Sequence, residues 1–483
     1  MNINLVPKPQ KLEVDHKNFF LGNIFLKTKI EYDSSCKKES YKLSINENGA
    51  LIKTCDRKGE YFAKQSLKQL EYIYKDKIPY MEIEDWPSFS YRGFMIDTAR
   101  HYLPLEQLKA MIEGASLFKF NKFHWHLCDD QGWRIEIDQF PLLVEKGSIR
   151  SHSSFGRKYD PNPHGGYYTK DEIKEIVEFC SNRAIEVIPE IEIPGHVSAL
   201  LHAYPHLSCR QVDVDIKSGG GIFFDILCAG REETFSFLFK VLDEVIALFP
   251  SPYIHIGGDE APKRRWEECS HCQARLKEEN LKSFDELQGY MMNRVYSYLQ
   301  KSGKKAITWN ESLRGQNLDK HIIIQNWREK KNEVFQWANK EGQVIVSDFF
   351  HYYVDYPIGM TSLKKTYMYD PIDPLLNQES RKNIIGLETP IWTEHISNLE
   401  KLSKMAFPRF GAVAERGWSY GMEKNYKDFE KRLKNILPMI NKYGLSFNEK
   451  SWTPNIFSSL GQILKFFYMG FNKETIKNLL EKE

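Results

Sequence analysis

The chain has 483 residues, 41% of them hydrophobic and 13% aromatic, which suffices for two or three average domains or one large barrel with appendages. Its formal net charge is +2, with Lys and Arg spread along the sequence, so neither a nucleic-acid footprint nor a polybasic membrane patch is expected. No apolar run approaches the ~18 to 20 residues of a membrane-spanning helix, and the opening MNINLVPKPQKLEVD lacks the segments of a secretory signal, so the expected location is cytoplasmic.

Within residues 1–88, VPKPQKLEV, IFLKTKIEY and YKLSIN read as strands and EYFAKQSLKQLEYIY as a helix. They make a small α+β accessory domain that ends near the turn-rich EDWPSFS. From residue 91, short β-branched or aromatic runs alternate with amphipathic helical stretches. The strand candidates are YRGFMID (91–97), KFHWHL (122–127), AIEVIPEIEI (184–193), YIHIGG (253–258), KAITWN (305–310), HIIIQNW (321–327), QVIVSDF (343–349) and IIGLETPIW (384–392). Between them, TKDEIKEIVEFCSNR places Ile173, Ile176, Val177 and Cys180 on one face, with Thr169 and Glu172 forming a capping box at its start. LPLEQLKAMIEGASLF, REETFSFLFKVLDEVIALF and FDELQGYMMNRVYSYLQKSG repeat the pattern. Eight alternations fit an α/β fold closed as a (β/α)8 TIM barrel over 89–445 better than an open sheet, although pattern alone leaves that choice open. Residues 446–483 form a C-terminal helical extension whose expected place is against the barrel.

Eight cysteines, at 36, 55, 128, 180, 209, 228, 269 and 272, are too scattered for a disulfide framework. Cys269-Ser-His-Cys272 would hold half a zinc site if a second Cys or His pair lay nearby. No second pair with suitable spacing stands out, so ECSHCQARLKEE reads as a helical surface segment and no metal is expected. His124 and His126 share one strand face, as two metal ligands would, but histidines there more often serve as hydrogen-bonded core residues.

In such a barrel the chemistry sits beyond the carboxyl ends of the strands. Those positions carry Asp97 and Arg100; His124, His126, Asp129 and Asp130; Glu190, Glu192 and His196; Asp259 and Glu260; Trp309 and Glu311; Trp327 and Arg328; Asp348, Tyr353 and Asp355; and Trp392 and Glu394. Rings beside many carboxylates suit a sugar, which presents apolar C–H faces and a rim of hydroxyls. Glycines followed by two acids, GGDE, speak against phosphate. Most glycosidases set two carboxyls on opposite sides of the scissile bond, about 5 Å or about 6.5–9.5 Å apart. Neighbouring residues cannot easily straddle a sugar in that way, so Asp259 and Glu260 must divide the work differently.

The stretches YRGFMIDTARHYLP, NKFHWHLCDDQGWRIEI, GGYYTKDEIKEIVEFC, PEIEIPGH, YIHIGGDEAPK, ETPIWTE and MAFPRFGAVAERGW resemble the glycoside hydrolase family 20 β-N-acetylhexosaminidases. The resemblance runs over roughly 85 to 420, with its motifs in order at barrel-like intervals. It implies cofactor-free, retaining, exo-acting hydrolysis of terminal β-linked N-acetylglucosamine, or N-acetylgalactosamine, in which the substrate's own acetamide is the nucleophile. By the same resemblance Asp259 orients the acetamide, Glu260 is the general acid and then base, and Asp129 and His196 form a relay behind it. Arg100, Asp355 and Glu394 match residues that bind hydroxyls; Trp309, Trp327 and Trp392 match pocket walls; Tyr353 matches the hydroxyl that holds the acetamide oxygen. The implied partner is an oligosaccharide or glycoconjugate. Asp97 and Asp130 read as structural, and Glu190 and Glu192 as either sugar ligands or loop-fixing acids. One family tryptophan has no counterpart in YPIGMTSLKKTYMYDP, which leaves the aglycone side undefined. A conventional retaining glycosidase with a protein nucleophile, a metal-dependent amidohydrolase and a catalytically silent sugar-binding barrel are the competing readings.

Overall fold

A computed structural model describes residues 3–328, 331–374, 376–452 and 456–470. The chain opens with a five-stranded mixed sheet of β1 (Lys11–Leu21), β2 (Thr28–Tyr32), β3 (Tyr41–Asn46), β4 (Gly49–Thr54) and β5 (Lys77–Asp85), ordered β1-β5-β3-β4-β2. Helix α1 (Arg57–Tyr74) starts at Asp56, whose side chain accepts the Gly59 N–H, and buries Phe62, Leu67 and Leu70 on the sheet. The α+β character expected for this segment is present, but two strands were not expected. Pro79 and the acids Glu82, Glu84 and Asp85 disguise a half-buried alternation in β5, and β4 is the return arm of a tight hairpin. VPKPQ is not strand; β1 begins only after its two prolines.

The second unit is a closed barrel of eight parallel strands following one another in chain order. They are β6 (Tyr91–Asp97), β7 (Lys122–His126), β8 (Glu186–Glu190), β9 (Tyr253–His255), β10 (Lys305–Trp309), β11 (Ile323–Asn326), β12 (Val344–Val346) and β13 (Ile384–Ile391). Every expected strand forms, most with shorter ends. Strands buried on both faces read as continuous apolar runs, which is why they are recognisable in the sequence. Outward residues such as Phe94, Phe123 and Trp125 join the main core under the surrounding helices. Those include α2 (Leu105–Ser116), α3 (Lys170–Ser181), α4 (Glu232–Leu248), α5 (Ser270–Glu278), α6 (Phe284–Lys301) and α7 (Arg409–Trp418). At α3 both halves of the Thr169–Glu172 capping box are made.

Inside the barrel the amino-terminal end is plugged by Tyr91, Ile188, Ile307, Ile323 and Ile345. Above this plug the interior turns polar: Asp97, His126, Glu190 and His255 lie in register across four adjacent strands. Helix α8 (Ile456–Gly470), from the C-terminal extension, lies against the barrel mouth, where Gln462 Oε1 accepts the Gly359 N–H at 3.3 Å.

Candidate active site

Beneath the mouth, Glu190 and Glu388 organise three histidines. The two ring nitrogens of His124 lie 2.8 Å from Glu388 and 3.0 Å from Glu190, and His126 Nδ1 lies 2.5 Å from Glu190. The other Glu190 oxygen sits 2.7 Å from His255 Nδ1 and accepts the Trp309 indole N–H at 2.8 Å. Burial opposes charge on all three rings. The carboxylates override it for His124, lifted to about 10, and His126, lifted to about 9, whereas the His255 ring is lowered. The carboxylates of Glu190, Glu388 and Asp129 thus favour the charged form of these two rings. Glu190 is thereby a fixing acid rather than a sugar ligand, and His124 and His126 have their nitrogens turned to carboxylates.

Directly above, the loop after β9 carries the adjacent acids. Gly257, at φ +62°, has the Glu192 carboxylate 2.0 Å from where a β-carbon would stand, so the chain turns there only because it is glycine. The turn delivers Glu260 at φ +42°, a left-handed conformation rare for a side-chain-bearing residue, and Glu311 Oε2 accepts its N–H at 2.8 Å. His196, also left-handed at φ +53°, places Nε2 3.7 Å from Asp259 and 3.8 Å from Glu260. Burial pushes Asp259 up; His196 works against this, Glu260 and Glu311 add to it, and the carboxyl ends at about 7. Glu192 is raised as well, by burial first and then by Asp259 and Glu190, and neither of its oxygens has a hydrogen-bond partner among the described residues.

The relay expected of Asp129 and His196 is arranged differently. Asp129 receives Arg100 Nη2 at 2.6 Å and faces His126 Nε2 at 3.0 Å, leaving 3.4 Å to His196. Asp130 is the nearer partner of His196 Nδ1, at 3.0 Å, and its other oxygen accepts the Ser198 N–H and hydroxyl at 2.9 and 2.6 Å. Asp130 therefore orients the histidine, a structural role that reaches the site; both neighbouring carboxylates are buried, and which of them lies nearer His196 is not encoded in composition. Burial disfavours the His196 charge, but Asp129 and Asp259 raise it well above its ordinary value. Asp97 is structural as expected, capping the Ala99 and Arg100 N–H groups and receiving the Thr393 N–H and hydroxyl.

These groups open into a cavity of about 520 Å³ lined by Arg100, His196, Asp259, Glu260, Trp327, Tyr353, Asp355, Trp392 and Glu394 among others. Trp327 and Tyr353 stack at 5.9 Å and 22°, and the Arg100 guanidinium lies 4.8 Å from the Trp392 ring. Asp355 and Glu394 share one wall and both are raised; burial comes first, then Glu394 for Asp355, while Arg100 opposes the rise at Glu394. Of the expected binding residues, Trp309 alone is missing from the lining. It is buried behind Trp392, ring to ring at 6.1 Å, and supports that wall. Asp129 likewise acts from behind.

The cavity lining also includes Phe155, Phe349, Phe350, Tyr356, His395 and Phe466, none of them among the expected binding residues. Phe155 with Gly156, and Gly220, come from the two long loops SHSSFGRKYDPNPHGG and CRQVDVDIKSGGG; Phe466 comes from α8, 5.2 Å from Tyr356. Arg328 lies 3.5 Å from Glu260 and 3.3 Å from Glu311. No sequence signal isolates the aromatic rim residues, which sit in loops that follow barrel strands, in the short hairpin strand Ser153–Phe155 or in α8.

The expectation that no second pair lies near Cys269 and Cys272 is overturned. Segment 269–278 does form a helix, α5, but Cys269 and Cys272 are buried, and they meet a second pair, Cys209 and Cys228. That pair brackets a long loop instead of forming a compact motif, which is why spacing does not reveal it.

A (β/α)8 barrel whose mouth gathers acids, a buried guanidinium and stacked rings has the build of a glycoside hydrolase. The sequence profile "Glycosyl hydrolase family 20, catalytic domain" matches residues 89–420, and the chain belongs to that family. It is 36% identical over 433 residues to a beta-hexosaminidase of Porphyromonas gingivalis, covering 85% of this chain and 55% of the relative. The chain spans about half to two thirds of the length of that relative and of a Vibrio furnissii beta-hexosaminidase, 55% and 65% respectively. Among solved structures, a beta-N-acetylhexosaminidase of Bacteroides fragilis superposes with a TM-score of 0.82 at 29% identity, over 93% of this chain and 99% of that one. An exo beta-N-acetylglucosaminidase of Vibrio harveyi, in complex with N-acetylglucosamine, superposes at 0.82 and 28% identity, over 93% and 79%.

Proposed function

We propose that the chain is an exo-acting, retaining β-N-acetylhexosaminidase that removes terminal β-linked N-acetylglucosamine, and N-acetylgalactosamine, from oligosaccharides or glycoconjugates. The observation that carries this reading is the placing of Asp259 and Glu260. Adjacent in the chain, both lie within 3.8 Å of one His196 nitrogen and line the same cavity. Acids so placed do not easily take opposite faces of one sugar, and membership of family 20 supports the other arrangement, in which the attacking atom is the acetamide oxygen of the substrate.

In the proposed reaction the acetamide oxygen forms a bond to the anomeric carbon while the bond to the leaving oxygen breaks. Glu260 gives its proton to that oxygen. Positive charge develops on the acetamide nitrogen, and ionised Asp259 accepts its N–H; because that interaction is strongest at the transition state, it lowers the barrier rather than merely tightening binding. Tyr353 donates its hydroxyl proton to the acetamide oxygen, and Trp327 and Trp392 hold the methyl group and sugar face. Glu260, now ionised, takes a proton from water as that water opens the cyclic intermediate from the face the leaving group vacated. Arg100, Asp355 and Glu394 bind the outer hydroxyls and confine the site to a terminal sugar.

The test is a panel of aryl β-glycosides varied at positions 2 and 4. The 2-acetamido sugars should be cleaved, plain glucosides should be near background, and rates should fall as fluorine replaces the acetamide hydrogens. Equal cleavage of plain glucosides, or a covalent sugar trapped on a protein carboxylate, would end the proposal. Position 4 reads the gluco or galacto choice. In the same panel Glu260→Gln should lose ~10²–10⁴ in turnover for poor leaving groups and least for those that depart unprotonated.

A further inference from the structure

We propose that Cys209, Cys228, Cys269 and Cys272 form a structural zinc site that ties together the two loops carrying the catalytic groups. The four sulfurs lie within 4.8 Å of one another. Cys272 is 3.7 Å from both Cys209 and Cys228, and Cys228 is 3.9 Å from Cys269. Four sulfurs bound ~2.3 Å from one ion at the corners of a tetrahedron stand about 3.8 Å apart, so these separations are the edges of a zinc–thiolate tetrahedron. They enclose room for one ion and not for an iron–sulfur cluster. Disulfide exchange does not account for the group, because Cys228 and Cys272 each have two near neighbours and no pairing is preferred.

The surroundings are built to bring the ligands together. Gly230 lies so close to α5 that a β-carbon on it would stand 2.2 Å from the His271 carbonyl carbon and 2.4 Å from the Cys272 nitrogen. Cys228 N–H donates to Leu207 O at 2.9 Å, Leu227 N–H to Pro194 O at 3.0 Å, and the Trp266 indole N–H to Leu227 O at 2.8 Å. Cys228 is thus locked to the His196 loop on one side and to the segment after Glu260 on the other. Between Cys209 and Cys228 the chain has no helix or strand, yet it supplies Gly220 to the cavity and takes the Asp130 carbonyl through the Lys217 N–H at 3.0 Å. The Cys228–Leu207 bond, the Ser208–Leu227 bridge and the Arg210–Asp225 ion pair already draw the ends of this loop together. One ion bound by Cys209 and Cys228 reinforces that closure, and Cys269 and Cys272 join it to the segment that follows Asp259 and Glu260.

The full chain, produced with zinc and purified without chelator, should contain about one zinc ion per molecule by elemental analysis. A mercurial should release it as thiols are consumed, read with a chromogenic zinc chelator. The double substitution C269S/C272S should bring zinc content to near zero and lower the melting temperature, while C36S, remote from the cluster, should keep both. Because serine variants can fail to fold, the wild-type chain grown in cobalt provides the second measurement. Intense thiolate-to-cobalt charge transfer with tetrahedral ligand-field bands is expected. Wild-type protein with negligible zinc, or cobalt taken up without thiolate bands, would overturn the proposal. Metal content is measured apart from hydrolysis, so its failure would leave the catalytic proposal standing, and the reverse.

Discussion

Burial lifts the Asp259 carboxyl to about 7, and this has consequences for stability as well as for chemistry. A carboxyl raised on folding binds a proton that the unfolded chain releases above its ordinary value of 3.8. The folded state therefore holds more protons between about pH 4 and 7, and stability falls as pH rises through that window, the reverse of a salt-bridged aspartate. Asp259→Asn removes the buried charge. The variant should melt higher than wild type at pH 8, with the gap closing near pH 4, while turnover drops much more than sugar affinity. A gap that is constant with pH would show that Asp259 is not the raised group. In the wild type the same titration should appear as an acid limb near pH 7 in kcat/KM for the aryl substrate, because accepting the acetamide N–H requires the ionised form.

At the scale of elements, helix α8 reaches from beyond the barrel to place Phe466 on the cavity rim beside Tyr356 and His395, at 5.2 and 5.7 Å. Phe466 lines the cavity and is not itself one of the groups assigned to chemistry. Phe466→Ala should raise KM for a disaccharide several-fold with kcat nearly kept, the mark of binding shared by ground and transition states. A matching fall in kcat would instead tie α8 to the positioning of Glu260. Nothing in WTPNIFSSLGQILKFFYMGF announces this role, because a helix's docking place depends on the surface it meets. The barrel strands were legible for the opposite reason: burial on both faces leaves runs such as AIEVIP with little alternative. The GGDE turn was legible too, since its glycines answer a local steric demand. Asp130 against Asp129, the Glu311 bond to the Glu260 N–H, and the convergence of Cys209 and Cys228 on α5 all depend on three-dimensional placing that adjacent or distant residues do not encode.

At the scale of the molecule, the accessory domain and the barrel share a buried hinge point at Trp418, the last residue of α7. Its indole N–H donates to Asp85 Oδ1 at 2.8 Å, its ring meets Phe62 of α1 edge-on at 5.2 Å, and Lys119 and Arg92 lie over it at 4.4 and 4.9 Å. Asp85 closes β5, and it also takes the Tyr41 hydroxyl at 2.6 Å and the Lys119 ammonium at 3.0 Å. A barrel helix thus completes the core of the sheet domain, and a barrel lysine neutralises that domain's buried acid. Trp418→Ala opens a large cavity there and removes one of the N–H groups that Asp85 Oδ1 accepts, leaving those of Gln10 and Trp86, a loss of about 3–5 kcal/mol carried mainly by the cavity. If the two units are thermodynamically one, calorimetry should show a single transition displaced to lower temperature, with sheet and barrel signals moving together. A low-temperature transition confined to the sheet domain, with the barrel and its sugar binding unchanged, would mean that the accessory domain only rests on the barrel and lends it no stability.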